Sequence, residues 1–472
     1  PVPDLSGISR VHLVGIGGAG MSGIARLLLA RGVEVSGSDL KDGPALPALR
    51  EEGAAVHLGH AANLVGDADA VVVSTAIGPG NPEVVEAVSR GIPVLARAQV
   101  LAALMRDRRA VAVAGTHGKT TTTSMVAVIL EHAGLDPTYV IGGDLNESGS
   151  NARSGKGELF VAEADESDGS FLLLSPEIAV VTNVEEDHLD FFSGRDEIEA
   201  AFAEFCRRAS LVVACGDDAA ARRVIEVAAV PSVTYGEGPQ NDVRLEDVEV
   251  RATGGACMLH WEGGATRVEV PVPGHHYLLN AAAAIAVARQ VGVDPADAAA
   301  SLATFRGVRR RYEHRGSAAG TEFVDDYAHH PTEIAATLAS ARAATSGGGD
   351  GTRRIVAVFQ PHRYTRTAAM WRELGSSLAD ADVAVVTDVY AAGEMPVPGI
   401  TGKLVVDALA EAAPGKRIVY LPHRADLASF LAREVRPGDL VLTLGAGDVT
   451  MVGEETLARL GSSVGTEGTH DQ

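Results

Sequence analysis

The run Gly115-Thr116-His117-Gly118-Lys119-Thr120-Thr121 follows directly on the apolar stretch Val111-Ala112-Val113-Ala114. These are the residue types of a phosphate-holding turn between a strand and a helix. Small residues let consecutive backbone N–H groups close around phosphate oxygens, and the helix N-terminus adds its dipole. Lys119 adds charge, and the Thr120 hydroxyl can ligate Mg2+. The usual G-x-x-x-x-G-K-[ST] pattern is broken at its first glycine, which is Val113 here, with an extra glycine at 115. That departure points away from ordinary P-loop motors and switches. A glycine-rich turn with an incidental lysine is the plain alternative, but lysine is scarce in this chain, occurring only at 41, 119, 156, 403 and 416. The turn implies a bound nucleoside triphosphate.

A second turn of the same chemistry lies near the start. Val11-His12-Leu13-Val14 leads into Gly15-Ile16-Gly17-Gly18-Ala19-Gly20, a helical pattern follows from Met21-Ser22, and the next strand ends at Ser38-Asp39. The glycines permit a tight turn and close backbone approach to a diphosphate, while an acid closing the second strand can reach a ribose or base. Taken alone, a G-x-G-x-x-G turn suits NAD as well as other diphosphates. Two phosphate turns in successive α/β segments suggest instead a nucleotide-linked substrate in one domain and a triphosphate in the next. Another strand, Val71-Val72-Val73-Ser74-Thr75, and a helix near 82–90 continue the pattern.

Other polar residues fall at strand ends. Glu163 opens Glu163-Ala164-Asp165-Glu166-Ser167-Asp168, and His188 lies in Asp187-His188-Leu189-Asp190, both past apolar strands. Parallel sheets carry ligands at that edge. A carboxylate, an imidazole and the Thr120 hydroxyl around triphosphate oxygens suit Mg2+; a solvated acidic loop and a structural histidine are the plainer alternatives. Three further clusters, Arg309-Arg310-Arg311-Tyr312, Asp325-Asp326-Tyr327-Ala328-His329-His330 and His362-Arg363-Tyr364-Thr365-Arg366, set cations and tyrosines beside strand ends. Arginine suits carboxylate and phosphate through its planar donors. The alternative is a surface cluster balancing an acidic protein.

The elements that must position these groups alternate strand and helix. At 472 residues the chain exceeds one core, and about 100–200 residues per domain gives three. Boundaries are set at 1–105, 106–310 and 311–472. Strands are expected at 159–162, 178–182, 211–214, 355–359, 383–387 and 440–444, short antiparallel strands over 232–272, a glycine-rich loop at 346–351 and an unstructured tail from Gly461. Hydrophobic content of 46% with little aromatic residue suits helices on parallel sheets. A formal charge of −22 argues against a nucleic-acid partner, so phosphorylated ligands need local donors. Cys206, Cys215 and Cys257 lack metal-ligand spacing and read as reduced thiols. With no apolar run of the ~18 residues a membrane span needs, the expected location is the cytoplasm.

In order along the chain, Gly15 to Gly23, Gly115 to Thr120, Glu163 to Asp168, Asp187 to Asp190, Asp325 to Pro331 and Asp388-Val389-Tyr390-Ala391-Ala392-Gly393-Glu394 resemble the Mur ligases of peptidoglycan synthesis. The resemblance implies three α/β domains: a Rossmann-like first domain, a central P-loop-type parallel-sheet domain holding ATP and Mg2+, and a Rossmann-like third domain. It implies ATP-dependent joining of L-alanine to UDP-N-acetylmuramate through an acyl phosphate, giving UDP-N-acetylmuramoyl-L-alanine, ADP and phosphate. The substrate's uridine diphosphate would lie on Gly15, Gly17, Gly18, Ala19, Gly20, Met21, Ser22, Asp39 and Ser74. ATP would lie on Gly115, Thr116, His117, Gly118, Lys119, Thr120, Thr121, Asn280 and Arg311. Thr120 and Glu163 would ligate one Mg2+ and His188 a second. Lys119, His188, Arg311 and His329 would act nearest the chemistry, while Tyr327, His329, His362, Arg363 and Arg366 would receive the amino acid.

Two departures from the family stand out. Siblings often carry a carbamylated lysine after the His188 position, yet no lysine occurs between 156 and 403. The adenine-contacting G-x-H-N-x-x-N pattern is Gly274-His275-His276-Tyr277-Leu278-Leu279-Asn280, with tyrosine at the first asparagine. Three other functions stay open: a recycling ligase adding a murein peptide to UDP-N-acetylmuramate, a nucleotide-dependent oxidoreductase built on the first turn, and a nucleotide-binding regulator. Monomer and homodimer are both compatible with the sequence.

Overall fold

The computed structural model describes residues 2–146, 148–188, 191–345 and 353–464. The loop expected at 346–351 lies outside the described residues. Three sheets follow one another along the chain. The first holds β1 (Arg10–Val14), β2 (Glu34–Asp39), β3 (Ala55–Leu58), β4 (Ala70–Val73) and β5 (Val94–Ala96) in the order β3-β2-β1-β4-β5, all parallel. Among its helices are α1 (Ala19–Ala30), α2 (Ala45–Glu51), α3 (Pro82–Ser89) and α4 (Arg97–Met105).

The second sheet contains β6 (Arg109–Ala114), β7 (Thr138–Val140), β8 (Ala152–Arg153), β9 (Leu159–Glu163), β10 (Ile178–Val181), β11 (Leu211–Cys215), β12 (Ser232–Gly236), β13 (Val243–Arg251), β14 (Gly254–Trp261) and β15 (Gly264–Val270). Its order is β15-β14-β13-β12-β11-β10-β6-β9-β7-β8. The third holds β16 (Glu313–Ala318), β17 (Thr321–Asp326), β18 (Ile355–Phe359), β19 (Val383–Val386), β20 (Arg417–Tyr420) and β21 (Leu440–Leu444) in the order β16-β17-β21-β18-β19-β20. Central strands such as β10 and β18, and β6 after its exposed Arg109, are unbroken apolar runs because helices cover both faces of a parallel sheet.

The expected strands all occur, within a residue or so at their ends. One expectation fails: β12 pairs parallel to β11, and β13 parallel to β12, where antiparallel strands were expected from 232 onward. The short alternating pattern there marks half-exposed strands, and that exposure does not fix strand direction. The last helix, Met451–Val464, runs past Gly461, where the tail was expected to start, and the buried Val452 and Leu460 anchor it. Residues 465–472 lie outside the described residues.

By compactness the chain divides in two. One unit comprises 1–246, 258–268 and 279–305, and the other 247–257, 269–278 and 306–472. In the first unit α1 docks on the central sheet: a Cβ on Gly23 would stand 3.0 Å from Val140 Cγ1, and the buried Asn151 donates to Ala19 O (2.5 Å) and Ser22 Oγ (3.1 Å). Phe171, Phe202 and Phe205 cluster in the same core. Cys206, Cys215 and Cys257 are buried and none forms a disulfide. Burial pushes the Cys206 thiol up to about 12 and raises that of Cys215 as well. Among the described residues no helix is long and apolar enough to cross a membrane.

Register explains where the turns fall. Just past β1, Gly15 and Ile16 both donate to Ser38 O (2.8 and 3.0 Å), fastening the first turn to the end of β2. Gly37 makes room for it, since a Cβ there would lie 2.7 Å from both Ile16 Cδ1 and Leu13 O. Gly37→Ala is therefore expected to lower unfolding free energy by about 1–3 kcal/mol through overpacking. Urea denaturation checks this; an unchanged midpoint would show that the turn relaxes freely.

Candidate functional site

Strand β6 sits between β9 and β10, with Val113 opposite Glu163 and Ala114 opposite Val181. Chains leave β6 on either side at this switch point, where open α/β sheets form a ligand crevice. The turn after β6 therefore meets the ends of β9 and β10 at once. Gly115 has φ 136, and a Cβ there would collide with the Thr182 side chain. Gly118 is left-handed at φ 80, and a Cβ would lie 2.6 Å from Asn280 Oδ1. Both positions need glycine. The helix α5 (Lys119–His132) then begins at Gly118 with no side chain capping it, and α1 likewise begins at Gly18 uncapped. By contrast Asn81 caps α3 by accepting from Glu83 N (2.9 Å). No capping side chain covers the first N–H groups of α1 and α5, which suits both helix starts to anions.

Lys119 lies at the centre of this turn. Its Nζ donates to Gly115 O (2.6 Å), Thr116 O (3.3 Å) and Glu166 Oε1 (2.8 Å). Burial alone would pull the ammonium down, but Glu166, Asp165 and Glu163 outweigh it and hold the group charged, above its ordinary range. Glu166 is pushed up to about 7 by burial, with Asp165 adding and Lys119 opposing; its second oxygen, Oε2, is buried without a hydrogen-bond partner. Thr120 Oγ1 donates to Glu163 Oε2 (3.0 Å), which also accepts from Gly142 N (2.8 Å).

The end of β10 holds the other side. His117 N donates to Asn183 Oδ1 (2.8 Å), Thr182 Oγ1 to His117 O (2.5 Å), and Glu185 N to Thr116 Oγ1 (2.8 Å). His188 has φ 53, a strained conformation for histidine, with Nε2 at 3.6 Å from Asp187 Oδ2 and 3.9 Å from Glu166 Oε1. Leu189 and Asp190 lie outside the described residues. Thr121 is buried in α5. The structure thus brings together Gly115 to Thr120, Glu163, His188 and Asn280.

At the first turn Gly17 N donates to Asp39 Oδ2 (3.0 Å). Gly15, Gly17 and Gly20 are half-buried, Gly18 and Ala19 exposed, and Ser74 half-buried beyond β4. Met21 and Ser22 face inward: Met21 is in the core, and Ser22 Oγ donates to Ala19 O (3.0 Å) while accepting from Asn151. Behind the turn lies a polar network that sequence patterns gave no sign of. The buried Glu83 accepts from Ser38 Oγ (2.6 Å) and Ala61 N (3.0 Å) and stands 3.2 Å from His12 Nε2. Burial opposes its charge, but these donors prevail and hold its carboxyl below the usual range. Arg97, at the start of α4, lies over Gly20: a Cβ there would stand 2.7 Å from its Nη1, while Nη2 is 3.4 Å from Asp165 Oδ2.

The second unit gathers its own cluster at the ends of β17, β18 and β21. Arg310 and Arg311 lie over the Tyr327 ring at 4.9 and 5.1 Å. Arg311 Nη1 is 3.8 Å from Glu333 Oε1, and His329 Nδ1 is 3.0 Å from Tyr327 O. The His329 and His362 rings are 5.9 Å apart, and His362 stacks on Tyr390 at 5.7 Å. Arg366, buried, sets Nη1 3.4 Å from His362 Nδ1, whereas Arg363 turns to Glu394 (2.8 Å). Arg310 instead holds the chain after β21, donating to Gly445 O (2.6 Å) and Gly447 O (3.1 Å). Burial pushes Asp326 up to about 6 and sends the Tyr277 phenol well above its ordinary range.

Comparison with known proteins shows the family and the fold. Residues 10–109 match the profile described as Mur ligase family, catalytic domain; 113–288 match the Mur ligase middle domain, and 310–447 the Mur ligase, glutamate ligase domain. The chain is 49% identical to a UDP-N-acetylmuramate--L-alanine ligase of Rubrobacter xylanophilus over 96% of this chain and all of that protein. It is 50% identical to one from Thermobifida fusca, covering 97% and 98%. The crystal structure of a UDP-N-acetylmuramate-alanine ligase from Thermotoga maritima superposes with a TM-score of 0.82 at 31% identity, covering 96% of this chain and 99% of that one. A murein peptide ligase from Psychrobacter arcticus gives 0.73 at 26%, with the same coverage.

The second unit also makes a pH prediction. His276 and His362 are both held down to about 4, by burial first and then by His275 and Arg311 around His276 and by Arg366 and Arg363 around His362. Their ordinary value is 6.5. As pH falls below that value the unfolded chain takes up protons that the folded chain refuses, so stability drops until both forms are protonated near the folded value. Replacing His362 by Asn is expected to make the loss of stability between pH 7 and 4.5 shallower in denaturant titrations. An unaltered slope would mean that His362 is already protonated in the fold.

Proposed function

The chain belongs to the Mur ligase family, and on that premise we propose that it joins L-alanine to UDP-N-acetylmuramate at the expense of ATP. The observation that carries this reading is the uncapped turn at 115–120, whose buried ammonium and flanking carboxylates converge where β6, β9 and β10 end. Relatives named for L-alanine and matched over nearly the whole chain at about half identity support the choice of amino acid.

The reaction is mainly a problem of positioning and charge. A carboxylate oxygen of UDP-N-acetylmuramate attacks the γ-phosphorus, the bond to the bridging oxygen breaks, and ADP leaves. The L-alanine nitrogen, having lost a proton, attacks the acyl phosphate carbon; the tetrahedral adduct collapses, phosphate leaves and the amide remains. Lys119, held charged, exchanges Glu166 for phosphoryl oxygens. Asn183 takes the N–H groups of Thr116 and His117 and Thr182 holds the His117 carbonyl, so the turn is fixed from behind and the donors it presents are the uncapped N–H groups at the start of α5. Asn280 backs the turn at Gly118, while the buried Tyr277 phenol stands where siblings carry asparagine.

The first turn seats the uridine diphosphate, with Asp39 toward the ribose. In the second unit Arg366 and His362 receive the amino acid's carboxylate beside Tyr327 and His329, and Arg311 is that unit's candidate for a phosphate contact. His362, kept neutral, leaves the positive charge there to Arg366. The donors at the mouth of the ATP turn fit Mg2+, which prefers hard oxygen ligands: the Thr120 hydroxyl, the Glu163 carboxylate and the buried, unsatisfied Glu166 Oε2. Thr120 and Glu163 would hold one ion and His188 a second, and bound metal supplies neutralisation of phosphoryl charge. Three buried thiols and nucleotide substrates accord with a cytoplasmic enzyme.

Phosphate release from ATP and UDP-N-acetylmuramate is expected with L-alanine; release only with a murein tripeptide would overturn the choice of amino acid in favour of the recycling reaction. Lys119→Ala is expected to lose at least about a hundredfold in turnover while its thermal unfolding stays cooperative. Turnover near the parent's would remove Lys119 from the chemistry.

A further inference from the structure

Within the first unit, Arg97 stands between the two phosphate turns. Its guanidinium packs on Gly20, the last glycine of the first turn, so closely that any side chain at 20 would meet Nη1 at 2.7 Å and Cδ at 3.0 Å. Its other amino group reaches Asp165, which lies next to Glu166, the partner of Lys119. Residues 15 to 22 contain no lysine or arginine, and the chain is strongly acidic. A diphosphate seated on that turn therefore meets backbone donors and an opposing carboxylate, Asp39, and needs a cation from elsewhere in the fold. Arg97 is partly exposed, and its 3.4 Å pair with Asp165 is long for a charge-assisted bond, so the guanidinium can change partner at modest cost.

We infer that Arg97 is a phosphate-binding residue of the nucleotide-sugar seat: it leaves Asp165 and donates to the diphosphate of the incoming substrate. This rests on reading the first turn as the seat of a uridine diphosphate. The guanidinium supplies planar donors that backbone amides alone cannot, and it ties occupancy of the first turn to the acidic segment beside Lys119. Asp165 holds the side chain over the turn until the ligand arrives. Removing Asp165 therefore does not weaken diphosphate binding, whereas removing Arg97 does.

The test is calorimetric titration of the whole enzyme with uridine diphosphate, uridine and a non-hydrolysable ATP analogue. Arg97→Ala is expected to lower affinity for uridine diphosphate at least about tenfold, the loss of one charge-assisted bond. Affinity for uridine and for the ATP analogue should stay within about twofold by the same measure. Asp165→Asn is expected to bind uridine diphosphate at least as tightly as the parent. If Arg97→Ala does not fold, Arg97→Gln, which keeps much of the side chain's length, carries the same expectation. Undiminished binding of the diphosphate by these Arg97 variants would overturn the inference and leave the reading of the turn intact. Equal losses in the Arg97 and Asp165 variants would reduce the pair to a structural tie and overturn it as well. A parent enzyme that binds the ATP analogue but no uridine diphosphate would overturn both the reading and the inference.

Discussion

A buried ammonium among carboxylates organises the first unit. Lys119 is taken out of water, which by itself disfavours its charge, and three acids at and just past the end of β9 restore it. Burying that charge is tolerable only with close partners, since an uncompensated one would cost several kcal/mol or shed its proton. The partners arrive from β9 and the segment after it, so the strand order that sets β9 beside β6 is itself part of the site. Neutral hydrogen bonds do the rest: Thr182 and Asn183, one residue apart, grip the carbonyl of His117, and Asn183 also takes its N–H. A shift of one residue in the pairing of β6 with β10 would turn the side chains of one strand to the opposite face relative to the other and undo each of these contacts.

The same solution recurs at the first turn with different chemistry. There the fixed element is a carbonyl, Ser38 O, which takes two N–H groups of the turn, and the buried Glu83 network keeps Ser38 in place. Both turns leave their helix starts without a capping side chain, while α3, which carries Glu83, is capped by Asn81. An uncapped helix is about 1 kcal/mol less stable than a capped one, a cost that makes sense where an anion is to supply the cap.

The alternation of apolar runs with helical periods was enough to place nearly every central strand, because parallel strands buried on both faces have few other ways to look. The glycine-rich turns were legible because each needs a residue type that nothing else in its neighbourhood demands. Glu163 and His188 were legible as polar residues just past such strands. What stayed hidden depends on distance in sequence. Arg97 reaches Gly20 across 77 positions, and Glu83 reaches Ser38 across 45. No local pattern announces such partners. Direction was hidden too: β12 and β13 have the look of hairpin strands, and only their hydrogen-bonded neighbours decide that they run parallel.

The three thiols have a practical consequence. All are buried, and burial suppresses the thiolate of Cys206 and Cys215, so electrophiles that need a thiolate find little to attack. A cysteine introduced on the surface would then be the fast-reacting one in an otherwise unaltered chain. Fluorescent or spin labels could be attached, one to each compact unit, without first stripping out the native residues, and the distance between the units could be followed as substrates are added.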